Sequence, residues 1–180
     1  MKLLLHCCCA PCSAPILEWM SQHSVAPTLF FFNPNIHPYT EYETRKKELE
    51  RYAGKLGLDI IDADYKHSEW LDSICGHETD KERGQRCAIC FYIRLHRTAM
   101  EAYERGFDTI ATTLASSRWK SIEQISAAGE KAVEQYPTVS FWDKNWRKDG
   151  LQLRRSQLLK ENGFYNQTYC GCEFSFRAEM

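Results

Sequence analysis

The sequence predicts an α/β fold in which a mostly parallel sheet is covered by helices on both faces. Three observations carry this expectation. Short apolar runs of strand length alternate with longer segments whose apolar residues recur at helical spacing. Strands separated by helices imply βαβ crossovers, which set neighbouring strands parallel. The 180 residues amount to about one domain at ~150 residues apiece, which excludes a second full-sized unit.

Taken in order, Lys2 to His6 is a short apolar run entering a Cys/Pro turn, the pattern of a buried strand. Ser13 can cap a helix reaching about His23, with Ile16, Leu17 and Met20 turned inward. Thr28 to Phe32 reads as a second strand, stopped by the turn signal Asn33-Pro34-Asn35. From Tyr39 to Leu56 the residues Tyr42, Leu49, Tyr52, Ala53 and Leu56 repeat at helical spacing until Gly57. Leu58 to Asp62 is the third strand, Ser68 to Cys75 a short helix and Gly76 to Gln85 a polar loop. A long helix starts near Cys87, with Ile89, Ile93, Ala99, Met100 and Tyr103 on one face and Gly106 as its stop. The strand Thr109 to Leu114 follows, then a helix from Ser121 to Tyr136 and a strand from Thr138 to Phe141. A polar loop to Gly150, a helix to Asn162 and an irregular tail complete the chain. In sheets of this kind ligands gather outside the carboxyl ends of the strands. Those ends carry the Cys-rich turn, Asn33-Pro34-Asn35 and Ser116-Ser117.

Lys and Arg number 23 against 24 Asp and Glu, a net charge of -1, so no global field draws nucleic acid and any such binding needs local basic patches. The nine Cys are the unusual feature. Eight fall into three groups: Cys7, Cys8, Cys9 and Cys12; Cys87 and Cys90; Cys170 and Cys172. Cys75 stands alone and is expected to pack on an apolar helix face. The N-terminus shows no secretory h-region and no stretch approaches the ~20 apolar residues of a membrane span. A cytoplasmic protein is therefore expected, in which grouped Cys serve metal binding or redox chemistry in preference to structural disulfides.

Two Cys-x-x-Cys spacings, Cys9 to Cys12 and Cys87 to Cys90, lie at the starts of predicted helices. There the helix dipole and free N–H groups favour thiolate over thiol. Four such thiolates suit an iron-sulfur cluster. They would also suit tetrahedral zinc, although the 74 residues between Cys12 and Cys87 exclude a local zinc ribbon. Thioredoxin-like chemistry has no place for Cys7, Cys8 or a second Cys-x-x-Cys. Cys170-Gly171-Cys172 is either a strained, easily reduced redox pair or, with Cys12, a chelator of a second metal.

Together with these Cys motifs, His6-Cys7-Cys8-Cys9-Ala10-Pro11-Cys12, Asn33-Pro34-Asn35-Ile36-His37-Pro38 with Glu41-Tyr42 and Arg45, Arg86-Cys87-Ala88-Ile89-Cys90-Phe91 with Arg94, Thr112-Thr113-Leu114 with Ser117 and Lys120, and Tyr169-Cys170-Gly171-Cys172-Glu173-Phe174-Ser175 occur in order. In this combination the chain resembles the QueH-type epoxyqueuosine reductases. The resemblance implies a single Rossmann-related, HUP-like iron-sulfur domain over residues 1–180, with residues 140–180 as an irregular, Cys-containing extension packing on the site. It implies a 4Fe-4S cluster held by Cys8, Cys9, Cys87 and Cys90, with Cys170 and Cys172 as redox pair or as ligands, with Cys12, of an adjacent mononuclear iron. The implied reaction reduces epoxyqueuosine to queuosine at the wobble base of tRNA, with an external electron donor. Cys7 occupies a position that varies among relatives. Asp143 sits in a segment that departs from theirs and receives no role.

Removing an epoxide oxygen as water requires two electrons and two protons, and His6, ending the first strand beside the Cys turn, is a candidate proton donor. For tRNA, local basic clusters occur at Arg45-Lys46-Lys47, Arg83 with Arg86, Arg147-Lys148 and Arg154-Arg155. Tyr39, Trp119, Trp142 and Trp146 are candidate stacking platforms. Two other readings are a zinc-stabilised, non-catalytic RNA-binding module and a tRNA sulfur transferase on a related fold. The latter would normally carry Ser-Gly-Gly-x-Asp-Ser after the first strand, where this chain has Cys7 to Cys12.

Overall fold

A run such as Leu3-Leu4-Leu5, apolar without alternation, suits a strand covered on both faces. In the computed structural model, which describes residues 1–176, β1 (Leu3–His6) is buried along its whole length. It pairs in parallel with β2 (Thr28–Phe31) on one side and β4 (Thr109–Thr112) on the other, so that His6 stands between Phe30 and Thr112. Outside these lie β3 (Ile60–Asp62) and β5 (Ser140–Phe141), giving a five-stranded parallel sheet ordered β3-β2-β1-β4-β5.

Six helices cover the sheet: α1 (Ala10–Gln22), α2 (Tyr39–Leu56), α3 (His67–Ser73), α4 (Gln85–Arg105), α5 (Ile122–Val133) and α6 (Leu151–Glu161). α1 packs against α2 and α6, while α4 packs against α5 and over β1 and β4. The strand order accounts for this division: the chain winds outward from β1 through β2 to β3, then returns to start β4 on the other side of β1, so that crossovers of the usual right hand place helices on opposite faces. The crevice at that reversal, outside the carboxyl ends of β1 and β4, is where this topology places ligands.

Three differences from the expected elements have physical causes. α1 begins at Ala10, with Cys9 as its extended N-cap residue and Pro11 in the first turn, where a missing N–H is harmless. Ser13 is therefore inside the helix, its hydroxyl bonded back to the Cys9 carbonyl at 2.7 Å. β4 stops at Thr112, whose hydroxyl accepts the Leu114 N–H at 3.1 Å and opens a 3-10 turn over Thr113–Ser116. Tyr103, expected in the buried stripe of α4, is 50% exposed and lies at 5.5 Å from the Tyr136 ring. The last turn of α4 thus projects past the core.

Candidate functional site

The chain leaves β1 through a turn carrying four Cys, one of which points away from the other three. Cys7 is tied into the sheet by its N–H to the Phe30 carbonyl at 2.9 Å, and its thiol turns back to the Leu5 carbonyl at 3.4 Å. Burial holds that thiol protonated. Cys8, Cys9 and Cys12 instead converge, with their sulfurs all within 4.8 Å of one another. The thiols of Cys12 and Cys9 hold Cys8 well below its ordinary value, with Lys120 and Arg94 adding positive charge, whereas burial pushes Cys9 up.

The second Cys-x-x-Cys occupies the first turns of α4. Burial raises both the Cys87 and the Cys90 thiols. Cys90 sits with Cys172, Trp70 and Ile74 in a small apolar cluster, where the positive charge of Arg94 counteracts the effect of burial on it. Cys172 is itself pushed up to about 12 by burial.

The tail carrying Cys170 and Cys172 is fixed by the buried Arg45 of α2. Its guanidinium donates to the carbonyls of Cys170 at 3.0 Å and Tyr169 at 3.1 Å, and to Glu41 at 2.7 Å. The His37 N–H adds a bond to the Gly171 carbonyl at 2.8 Å. Only glycine suits position 171. Its φ is +108°, and a Cβ there would lie 2.9 Å from Ile36 and 3.1 Å from the Arg45 guanidinium.

Cys8, Cys12, Cys87, Cys170 and Cys172 line one cavity of about 810 Å³ at the crevice that the strand order creates. Among the described residues, seven basic side chains also line it (Arg45, Arg83, Arg86, Arg94, Arg118, Lys120 and Arg155), against a single acid, Glu82. A concave site walled by one sign of charge concentrates anions, although the whole chain carries only -1. Against its burial, Lys120 is held charged by Cys170, Cys8 and Cys12. Arg94 reaches across to Asn33 at 2.5 Å, and Asn33 in turn donates to the Cys7 carbonyl at 2.9 Å. One chain of bonds thus links α4, the loop after β2 and the Cys turn. Gln167, from the tail, donates its amide N–H to Cys9 at 2.8 Å.

Several expected roles change. His6 is fully buried and both ring nitrogens are engaged, Nδ1 with Thr112 at 2.9 Å and Nε2 with the Phe32 carbonyl at 3.1 Å. Burial, then Arg94, lowers it to about 3, so it is a neutral strut beneath the Cys turn with no proton directed into the cavity. Cys75 lies beyond α3 and is exposed, because that helix ends at Ser73 before a buried face reaches it.

Among the basic clusters, Arg83, Arg86 and Arg155 face the cavity. Arg147 braces the Ser117 and Lys120 carbonyls, both at 2.6 Å, and Arg154 pairs with Glu18 and Glu161. Trp146 is only 1% exposed and packs on Trp19 and Trp142, which removes it as a stacking platform. Trp119 is 68% exposed at the cavity. Gln167 carries no sequence signal beyond its nearness to Cys170.

A family model described as epoxyqueuosine reductase QueH matches residues 3–178. The chain is 45% identical over 176 residues to the epoxyqueuosine reductase QueH of Acinetobacter baylyi, covering 98% of this chain and 81% of that protein. It is 46% identical over 176 residues to that of Haemophilus influenzae, with 98% and 72% covered. Among solved structures it is similar to the U34-tRNA thiolase NcsA from Methanococcus maripaludis with its 4Fe-4S cluster, with a TM-score of 0.63 and 13% identity, over 98% of this chain and 62% of that one. A predicted subunit of tRNA methyltransferase from Methanocaldococcus jannaschii gives a TM-score of 0.52 at 15% identity, over 92% and 93%. At such identities the structural likenesses speak to the fold alone: a Rossmann-related, HUP-like sheet. The sequence match is of another order, running through nearly the whole chain and all three Cys groups, and by it the chain belongs to the epoxyqueuosine reductase QueH family, enzymes of queuosine biosynthesis that reduce epoxyqueuosine to queuosine.

Proposed function

We propose that this reduction takes place on the wobble base of a tRNA inserted into the basic cavity, at a 4Fe-4S cluster held by Cys8, Cys9, Cys87 and Cys90. The observation that carries the reading is a sulfur-lined, cationic cavity at the topological switch point. Its donor set fits a cluster better than one zinc ion. A closed zinc site brings four ligands to about 2.3 Å from a single centre, whereas among the described residues the tight sulfur group is Cys8, Cys9 and Cys12, with neither Cys87 nor Cys90 in it. A multi-atom centre spans such a gap. When bound, such a cluster supplies electrons one at a time at low potential, fed by an external donor.

The balance of the reaction is two electrons and two protons in, one water out, as the two carbon–oxygen bonds of the epoxide break and an alkene forms. The residues of this chain have defined parts in it. Lys120 offers a hydrogen bond to the oxygen as negative charge develops there. Cys172 holds its proton at neutral pH. Oxidation of the Cys170 and Cys172 dithiol to a disulfide would release two electrons and two protons, the full requirement. In the other use of these residues, Cys170, Cys172 and Cys12 would hold a mononuclear iron beside the cluster. Residues 140–180 are read as an extension of one α/β domain that brings this pair to the site. We further read the protein as cytoplasmic; no helix among the described residues is long and apolar enough to cross a membrane.

Anaerobic purification followed by iron and sulfide analysis, with turnover of epoxyqueuosine-containing tRNA, tests the proposal. The expected protein is brown, with iron and inorganic sulfide near four each per chain beyond any adjacent iron. Cys87→Ala should lose both cluster and turnover, and Cys75→Ser should keep both. Zinc without sulfide would favour a zinc site at these cysteines and sink the cluster reading.

A further inference from the structure

His37, His67 and Glu173 come from three distant parts of the chain: the loop after β2, the first residue of α3 and the tail. Each nevertheless offers a ligand atom within 4.8 Å of the other two. The donor count at His67 is the informative feature. Its Nδ1 lies 2.7 Å from the Pro34 carbonyl, which can only accept, so the ring proton belongs on Nδ1. That leaves a lone pair on Nε2 facing Glu173 Oε1 at 2.9 Å, another acceptor. Two lone pairs at that separation need a positive centre between them, a proton or a metal ion. A proton would join His67 to Glu173, but it gives no part to His37, whose ring stacks on His67 with centroids 5.0 Å apart.

We propose that His37, His67 and Glu173 form a site for one divalent transition-metal ion, separate from the sulfur-lined cavity, which clasps the Cys170–Cys172 tail to the loop after β2. Two imidazoles and a carboxylate are the donor set of borderline cations such as Zn²⁺ or Fe²⁺. Ligand atoms at about 2.0 to 2.2 Å from one ion stand roughly 3 to 4 Å apart. The 2.9 Å pair already has the spacing of neighbouring ligands, and the exposed His37 can close the remainder by a side-chain rotation. The Pro34 carbonyl takes the role that an outer partner plays at metal-bound histidine, fixing the tautomer and the ring plane.

The function of such a clasp follows from what it joins. Glu173 directly follows Cys172, and His37 already holds the tail through its N–H to the Gly171 carbonyl and by accepting the Tyr169 hydroxyl. An ion there would set the position of Cys170 and Cys172 relative to the cavity. The proposal does not depend on which centre the cysteines hold.

The test adds one equivalent of Zn²⁺ alone to the anaerobic full-length protein with its native centre in place, reading the zinc environment by X-ray absorption and the affinity by chelator competition. The expected first shell is nitrogen and oxygen only, with imidazole scattering. His37→Ala and Glu173→Gln should each weaken binding at least tenfold, since loss of an outer partner alone costs about ten- to a hundredfold. Both variants alter partly exposed side chains, and unchanged iron content would show that the fold is retained. Sulfur in the zinc shell overturns the proposal, as does failure to retain zinc or an affinity untouched by both substitutions. Loss with Glu173→Gln but not with His37→Ala would show an ion held without His37 and overturn the three-residue site equally.

Discussion

The ring of His6 has one acceptor-only neighbour, the Phe32 carbonyl, so Nε2 carries the proton and Nδ1 accepts from the Thr112 hydroxyl. That hydroxyl also receives the Leu114 N–H. The neutral ring thereby pins the ends of β2 and β4 around the Cys turn, and the same arrangement makes acid destabilising. With a folded value of about 3 against an ordinary 6.5, only the unfolded chain takes up this proton between those limits. The stabilisation is complete above pH 6.5 and falls, by about 1.4 kcal/mol per pH unit, as pH drops toward 3. Urea unfolding at pH 7 and pH 4.5 should therefore show wild type losing roughly 2 to 3 kcal/mol more than His6→Gln does over the same interval; equal losses would rule out the buried neutral ring. The sequence placed His6 beside the site correctly but not its task, because a role as acid or as strut turns on whether a ring nitrogen is free, and that depends on Thr112 and Phe32, each reached only by strand pairing.

At the scale of elements, the sequence reads well where local signals suffice. α2 runs from Tyr39 to Leu56 as its periodicity and Gly57 require, and each strand lies within the apolar run that predicts it. The start of α1 was not legible, because Ser13 is a better capping residue by type than Cys9. Cys9 caps α1 without a side-chain hydrogen bond, and the start is set instead by Pro11 in the first turn. The tail was least legible: its place is fixed by Arg45, His37 and Gln167, single contacts without periodicity. One helix-to-strand contact gives a direct test of packing. Gly129 lies on the face of α5 over β5, and a Cβ there would come within 2.2 Å of the Phe141 ring. Alanine should favour the helix by about 1 kcal/mol, but overpacking typically costs ~1 to 3 kcal/mol, and at 2.2 Å the clash prevails. Gly129→Ala should lower the melting temperature, and adding Phe141→Leu should recover part of the loss. A Gly129→Ala protein that melts higher than wild type would show that α5 does not press on β5 as described.

For the molecule as a whole, the near-balance of charge and the cationic cavity are two sides of one design. Acidic side chains elsewhere hold the total to -1, so no net field of the whole chain draws polyanions, and the cationic cavity supplies the local attraction. Arg118 and Trp119 stand together there, the guanidinium 4.9 Å from the ring centroid, with Trp119 at 68% exposure. The two should act on tRNA through separable terms. An exposed indole beside the cavity offers a face for an unstacked anticodon-loop base, a contact worth about 1 to 3 kcal/mol and indifferent to salt. An arginine beside it meets phosphate, and each such contact to a single strand changes the slope of log K against log salt by about 0.7. Trp119→Ala should therefore weaken binding of epoxyqueuosine-containing tRNA by roughly 5- to 150-fold at every salt concentration, leaving the slope as it was. Arg118→Ala should make the slope shallower by about 0.7 and weaken binding mainly at low salt. Binding isotherms between 50 and 200 mM salt for the two variants separate these outcomes. If Trp119→Ala changes the slope, or leaves affinity untouched, the indole is not a base platform and the loop must enter past another wall of the cavity.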